Sequence, residues 1–135
     1  MPQAITRLNP PTLPDAGNVG YSQISIVEPG RMAYVSGQVA LPPDGSPVPP
    51  DLLGQTRVVV RNLQAALDAL GADVRDIAIM RIFVVDLTPE ALAESFPVVL
   101  EMLAGAQPSI TGVGVAALAD PAFRIEVELT VRVPD

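Results

Sequence analysis

Apolar residues along this chain recur at two spacings, one suited to strands and one to helices. Ser22 to Val27 and Met32 to Leu41 read as strands, joined at Glu28-Pro29-Gly30-Arg31, where Pro-Gly signals a turn. The two are expected to pair as a hairpin. Leu52, Val59, Leu63, Ala66, Leu67 and Leu70 then fall at helical spacing, with Asp51 offered as N-cap and Gly71 as the C-terminal stop. A strand from Ile77 to Leu87 follows. The next helix opens with Thr88 as N-cap and Pro89 at the first helical position, where a missing N–H costs nothing, and is expected to end near Gly105. Two last strands run from Ile110 to Ala117 and from Phe123 to Val133, with a turn around Asp120-Pro121. The first twenty residues, rich in Pro, Asn and Gly, read as an irregular arm, and Pro42 to Pro50 as a loop with too few amides for a ladder. The order ββαβαββ predicts an α+β fold: one mixed sheet with two helices on one face.

Length and composition narrow the picture. A chain of 135 residues fits one domain, spanning 1–135, and buries roughly two thirds of the surface its unfolded form exposes. There is no Trp and the only aromatics are Phe83, Phe96, Phe123, Tyr21 and Tyr34, so the core must be aliphatic. A mean hydropathy of +0.38, with no apolar run near the ~18 residues of a membrane span, predicts that part of the apolar surface lies between subunits. The start Met1-Pro2-Gln3-Ala4 lacks the basic flank and apolar stretch of a secretory signal, which predicts a cytoplasmic protein.

What is missing excludes whole classes of chemistry. Without Cys there is no thiol nucleophile, disulfide or Cys-ligated metal; without His, the usual serine triad and most transition-metal sites go too. All eight basic residues are arginine, so no lysine amine can form a Schiff base. No metal and no cofactor are expected. Gly112-Val113-Gly114 lacks the third glycine and following helix of a dinucleotide fingerprint. A net charge of −7 works against any partner rich in phosphate, so neither nucleic acid nor membrane is expected as a partner.

Several segments carry a resemblance. Gly20-Tyr21-Ser22-Gln23, Tyr34-Val35-Ser36-Gly37-Gln38, Asp44-Gly45, Asn62-Leu63-Gln64-Ala65-Ala66-Leu67, Phe83-Val84-Val85-Asp86-Leu87 and Glu126-Val127-Glu128, in this order, resemble the Rid (YjgF-type) family of small enamine/imine deaminases. The likeness runs from about Asn9 to Val133. It implies a chorismate-mutase-like fold and a homotrimer whose three sheets surround a central barrel, with clefts between neighbouring subunits. It also implies a small-molecule substrate. Some members of the family are described as ribonucleases, a reading that the acidic charge balance disfavours.

Alternation on the last predicted strand sets Phe123, Ile125, Val127, Leu129, Val131 and Val133 on one face and Arg124, Glu126, Glu128, Thr130 and Arg132 on the other. In the deaminases of the resembled family, a glutamate matching Glu126 activates the water that attacks an imine carbon, which makes Glu126 the candidate acid/base. The alternative is that Glu126 and Glu128 pair with Arg124 and Arg132 on a solvated face. Tyr21 matches a tyrosine of the family's cleft; otherwise its ring anchors the arm. Ser36 and Gly37 either let a ligand approach the backbone or mark a bulge or subunit contact.

Position 110 is where this chain departs from the resemblance. The family's deaminases carry an arginine there that forks onto a substrate carboxylate, and this chain has Ile110, on one strand face with Gly112 and Gly114. Losing charge-assisted hydrogen bonds worth roughly 1.5–3 kcal/mol each disfavours amino-acid-derived imines. Glu94 stands where the family often has asparagine, either near the cleft or on a solvated helix face. Arg81, flanked by apolar residues, needs a partner such as Glu126, Glu128 or Glu94 if buried, and either forms a structural ion pair or binds ligand. The leading reading is an enzyme acting on an enamine, imine or related reactive carbonyl compound, by deamination, cyclisation or tautomerisation. The rival is a non-catalytic trimer that binds a small ligand or another protein.

Overall fold

The computed structural model describes residues 3–135; residues 1 and 2, with which the expected arm begins, lie outside the described residues. Strands β1 (Ile5–Leu8), β2 (Ile24–Val27) and β3 (Met32–Val39) precede helix α1 (Leu52–Leu70). Then come β4 (Ile77–Val85), α2 (Pro89–Leu103), β5 (Ser109–Val115) and β6 (Ile125–Arg132). Four strands form a mixed sheet in the order β3-β6-β4-β5, and β1 and β2 form a separate two-stranded ribbon. The α+β class and the two helices stand as the spacing predicts.

The expected hairpin does not form. β2 pairs with β1, Leu8 opposite Ile24 and Ile5 opposite Val27, while β3 pairs with β6, Met32 opposite Arg132. The reason lies at the turn. Arg132, only 3% exposed, donates to the carbonyls of Glu28 (3.1 Å), Pro29 (2.8 Å) and Val133 (2.6 Å), and pairs with Asp135 at 3.1 Å. A buried guanidinium must have such partners, and supplying them swings the chain from the ribbon onto the end of β6. The arm is likewise not wholly irregular, because Ile5-Thr6-Arg7-Leu8 completes the ribbon's ladder. Arg7 fastens it by donating to the Ile77 carbonyl (2.6 Å) and to Ser25 Oγ (2.7 Å), and burial pushes its guanidinium below its ordinary value.

Strand alternation places the core. Ile125, Val127, Leu129 and Val131 of β6 meet Met80, Ile82 and Val84 of β4 and the inner stripes of both helices. Leu52, Val59, Leu63 and Leu67 of α1 are fully buried there, each contributing about 1.5–3 kcal/mol of transfer free energy. Gly71 ends α1 in the left-handed region at φ 63°, and Thr88 Oγ1 accepts the Ala91 N–H to start α2. Asp51 sits at the N-cap of α1 but caps nothing with its side chain. The strand expected from Ile77 stops at Val85, because Asp86 turns left-handed at φ 54°.

One buried polar residue ties these layers together. Gln55, 1% exposed, donates to the carbonyls of Pro49 (2.9 Å) and Ala122 (2.8 Å) and accepts the Arg124 N–H at 2.8 Å. Its amide thereby sets the proline-rich loop and the entry to β6 against α1. Gln55→Leu fills nearly the same volume but strands three backbone groups, and is expected to cost about 3 kcal/mol or more. A urea midpoint unchanged from that of the native chain would contradict this.

Candidate active site

The site grows from the edge of the sheet beside α2. β5 is an edge strand running parallel to β4, with Ile110 opposite Met80 and Gly112 opposite Ile82. Ile110 and Gly112 therefore share the helix-facing side of the sheet with Ile82 and Val84. There, with Phe96, Ser95 and Val99 of α2 and with Val19 and Tyr21 of the arm, they line a cavity of about 310 Å³. No lining residue carries a charge.

The arm holds Tyr21 in this wall by a clasp that the sequence did not reveal. Ala16 is fully buried, and the Val19 and Gly20 N–H groups both donate to its carbonyl at 3.0 Å. Ser22 donates its N–H to the Pro108 carbonyl (3.1 Å) and its hydroxyl to the Gln107 carbonyl (2.6 Å), while Gln107 Nε2 returns a bond to the Gly17 carbonyl (3.2 Å). Gln107 itself is left-handed at φ 52°. The loop entering β5 and the arm thus hold each other, which keeps Tyr21 in the cavity wall.

Glu126 lies elsewhere. On β6 it faces Phe83, two register positions from the Arg81–Glu128 pair, on the side of the sheet that the helices leave open. Its side chain crosses Gly37: a Cβ at that position would stand 2.6 Å from the Glu126 carboxyl carbon and 2.7 Å from Cγ. Ser36 and Gly37 form a bulge between Val35 and Gln38, two residues against Glu128, so the bulge reading holds. None of the ion pairs among the described residues includes Glu126. The alternative, a pairing of Glu126 and Glu128 with Arg124 and Arg132, is not found among the described residues: Arg132 turns to carbonyls and Asp135, and Glu128 to Arg81.

Arg81 pairs with Glu128 at 3.4 Å, and both side chains are substantially exposed in the chain. Flanking apolar residues suggested burial; the pleat instead sends Ile82 inward and Arg81 to the open face. Of the two readings of Glu94, the structure shows the exposed helix face. Glu94 is exposed and its Oε1 accepts the Leu53 N–H at 3.3 Å, in the first turn of α1, whereas Ser95 one residue on lines the cavity. A step of about 100° around the helix separates the two. Glu94 thereby supplies the capping contact that Asp51 does not.

The candidate residues thus divide into two groups on opposite faces of one sheet: Tyr21, Ile110 and Gly112 at the cavity, and Ser36, Gly37, Arg81 and Glu126 on the open face. Phe96, Ser95 and Val19 were not anticipated. Phe96 was within reach, as the one aromatic residue of α2. Among the described residues no group of three or more acidic side chains is gathered for a metal ion, and no helix is long and apolar enough to cross a membrane.

Comparison with known proteins places this fold. Residues 14–133 match the family described as endoribonuclease L-PSP. The chain is 35% identical over 111 residues to the RutC family protein YjgH of Escherichia coli, covering 81% of each chain. It is 36% identical over 74 residues to the 2-iminobutanoate/2-iminopropanoate deaminase of Escherichia coli, 52% of this chain and 58% of that one. Among solved structures, a Rid family protein of unknown function, YyfB from Yersinia pestis, superposes with a TM-score of 0.90 at 33% identity, covering 96% of this chain and 99% of that one. Escherichia coli TdcF with bound serine superposes with a TM-score of 0.68 at 30% identity, covering 83% of this chain and 87% of that one. The chain belongs to the endoribonuclease L-PSP family, also called the YjgF/Rid family.

Gly37→Ala is expected to leave the fold intact and force the Glu126 side chain to another rotamer. The carboxyl carbon resonance of Glu126, followed by NMR, is then displaced from its native position; an unmoved resonance would mean that the crossing over Gly37 is not sterically required.

Proposed function

We propose that this protein is a Rid-type enzyme acting on an uncharged enamine, imine or related reactive carbonyl compound rather than a 2-imino acid, with Glu126 as acid/base and Tyr21 as a positioning group. The observation that carries the reading is the cavity at Ile110. Tyr21 and Gly112 meet there without any charged lining residue. A carboxylate placed in such a wall loses its hydration and gains no guanidinium in return. A neutral imine loses little.

Glu126 and the cavity lie on opposite faces of the sheet, so one chain does not complete the site. A homotrimer supplies the missing half: the open face of one protomer, with Glu126 beside Gly37 and Ser36, closes onto the cavity of its neighbour. The mean hydropathy of +0.38 and Tyr34, 79% exposed on the open face, support such a covering. A cytoplasmic location suits a substrate that arises and decays inside the cell.

In the proposed reaction Glu126 takes a proton from water as the oxygen bonds to the imine carbon, and a proton passes to the nitrogen. The resulting carbinolamine collapses, its C–N bond breaks, and ammonia or an amine leaves a carbonyl product. One carboxylate serves both transfers, with no cofactor.

In a panel of uncharged imines and enamines, Glu126→Gln is expected to lower turnover about 10²–10⁴-fold while the trimer keeps its mass by light scattering. Absence of turnover by the native protein across the panel would favour a non-catalytic ligand-binding trimer. Ile110→Arg is expected to raise kcat/KM on 2-iminobutanoate by on the order of tenfold to a hundredfold, because a charge-assisted bond to the carboxylate is restored. No gain in a folded variant would count against placing the substrate at Ile110.

A further inference from the structure

Gly112 is the one feature of the cavity wall for which the chain itself offers no reason. It lies in the middle of an extended strand, without the positive φ that would call for glycine, and a Cβ built on it meets nothing within 4 Å. Its neighbour two residues on is different, since a Cβ on Gly114 would stand 3.2 Å from Leu87 Cβ. Glycine inside a strand destabilises it by roughly 0.5–1 kcal/mol relative to alanine. Within the chain nothing offsets that cost. The space left open adjoins the cavity, whose walls at this point are the hydrocarbon of Ile82 and Ile110 and the rings of Phe96 and Tyr21.

Resting on the reading of this cavity as the substrate site, we propose that Gly112 is a specificity-determining position that admits a one- or two-ring, uncharged apolar group of the substrate. Size supports a ring. An apolar cavity of about 150 Å³ is known to take benzene, and this one measures about 310 Å³. Chemistry supports neutrality, because no lining side chain is charged and the Tyr21 phenol offers one hydroxyl to a polar atom on the ring or beside it. A side chain at 112 would take the place of that ring.

Indole serves as a neutral two-ring probe and indole-3-carboxylate as its charged counterpart, each titrated into the isotopically labelled native trimer and into Gly112→Ala and Gly112→Val. The native protein is expected to bind indole saturably, with resonances of Gly112, Tyr21 and Phe96 moving, and to bind the carboxylate at least tenfold more weakly. Gly112→Ala is expected to raise Tm, and Gly112→Val to weaken indole at least tenfold with the assembly unchanged. Three results would overturn the proposal: no saturable binding of indole to the native protein, native-like affinity in Gly112→Val, or a lower Tm or altered assembly in Gly112→Ala, which would show that the glycine serves packing between copies. Binding as expected without turnover of any imine would leave this inference standing and remove the enzymatic reading alone.

Discussion

The two-residue period of β6, held between β3 and β4, is the constraint from which the rest of the molecule follows. Odd-numbered residues from Ile125 to Val131 enter the core beneath the helices, while Glu126, Glu128 and Thr130 must emerge on the other side. No local adjustment moves the acid to the helix side without exposing the apolar set. Because β4 obeys the same alternation, Ile82 and Val84 are committed to the cavity and Arg81 to the open face. The division of the candidate residues between two faces is therefore a property of the sheet itself.

Polar contacts then refine what packing has laid out. Gln55 anchors the entry of β6, Arg132 gathers the carbonyls of the β2–β3 turn at its exit, and the Ser22–Gln107 clasp holds the arm against β5. Each is a buried or half-buried group whose desolvation requires partners, and each binds segments remote in sequence. Together they hold the strand bearing Glu126 at both ends and fix the position of Tyr21. The rigidity suits a site whose halves, in the proposed trimer, come from different protomers and must meet in register.

Membership of the YjgF/Rid family sets the frame for these residues without naming a substrate. In the proposed function the wall at position 110 selects the substrate: an isoleucine side chain and the space beside Gly112 line it, and no charged residue does. A cavity of this kind selects by shape and by the cost of desolvating an anion, whereas a guanidinium selects by charge. That difference is the physical basis for separating the proposed substrate from 2-imino acids.

Much of the architecture could be read directly from the residues. The helical spacing from Leu52 to Leu70, Thr88-Pro89 at the start of α2 and the two faces of the last strand all rest on neighbours within a few positions, where local physics decides. The pairing of β2 with Ile5–Leu8, the capture of the turn by Arg132 and the reach of Glu94 to α1 were not legible, because each depends on a partner brought near only by folding. The same holds for the candidate site. The identities of Tyr21, Ile110, Gly112 and Glu126 could be taken from the sequence, and the face of β6 that carries Glu126 followed from alternation. That this face turns away from the cavity was settled by β5 adding to β4 in parallel, a choice of sheet order that no single segment encodes.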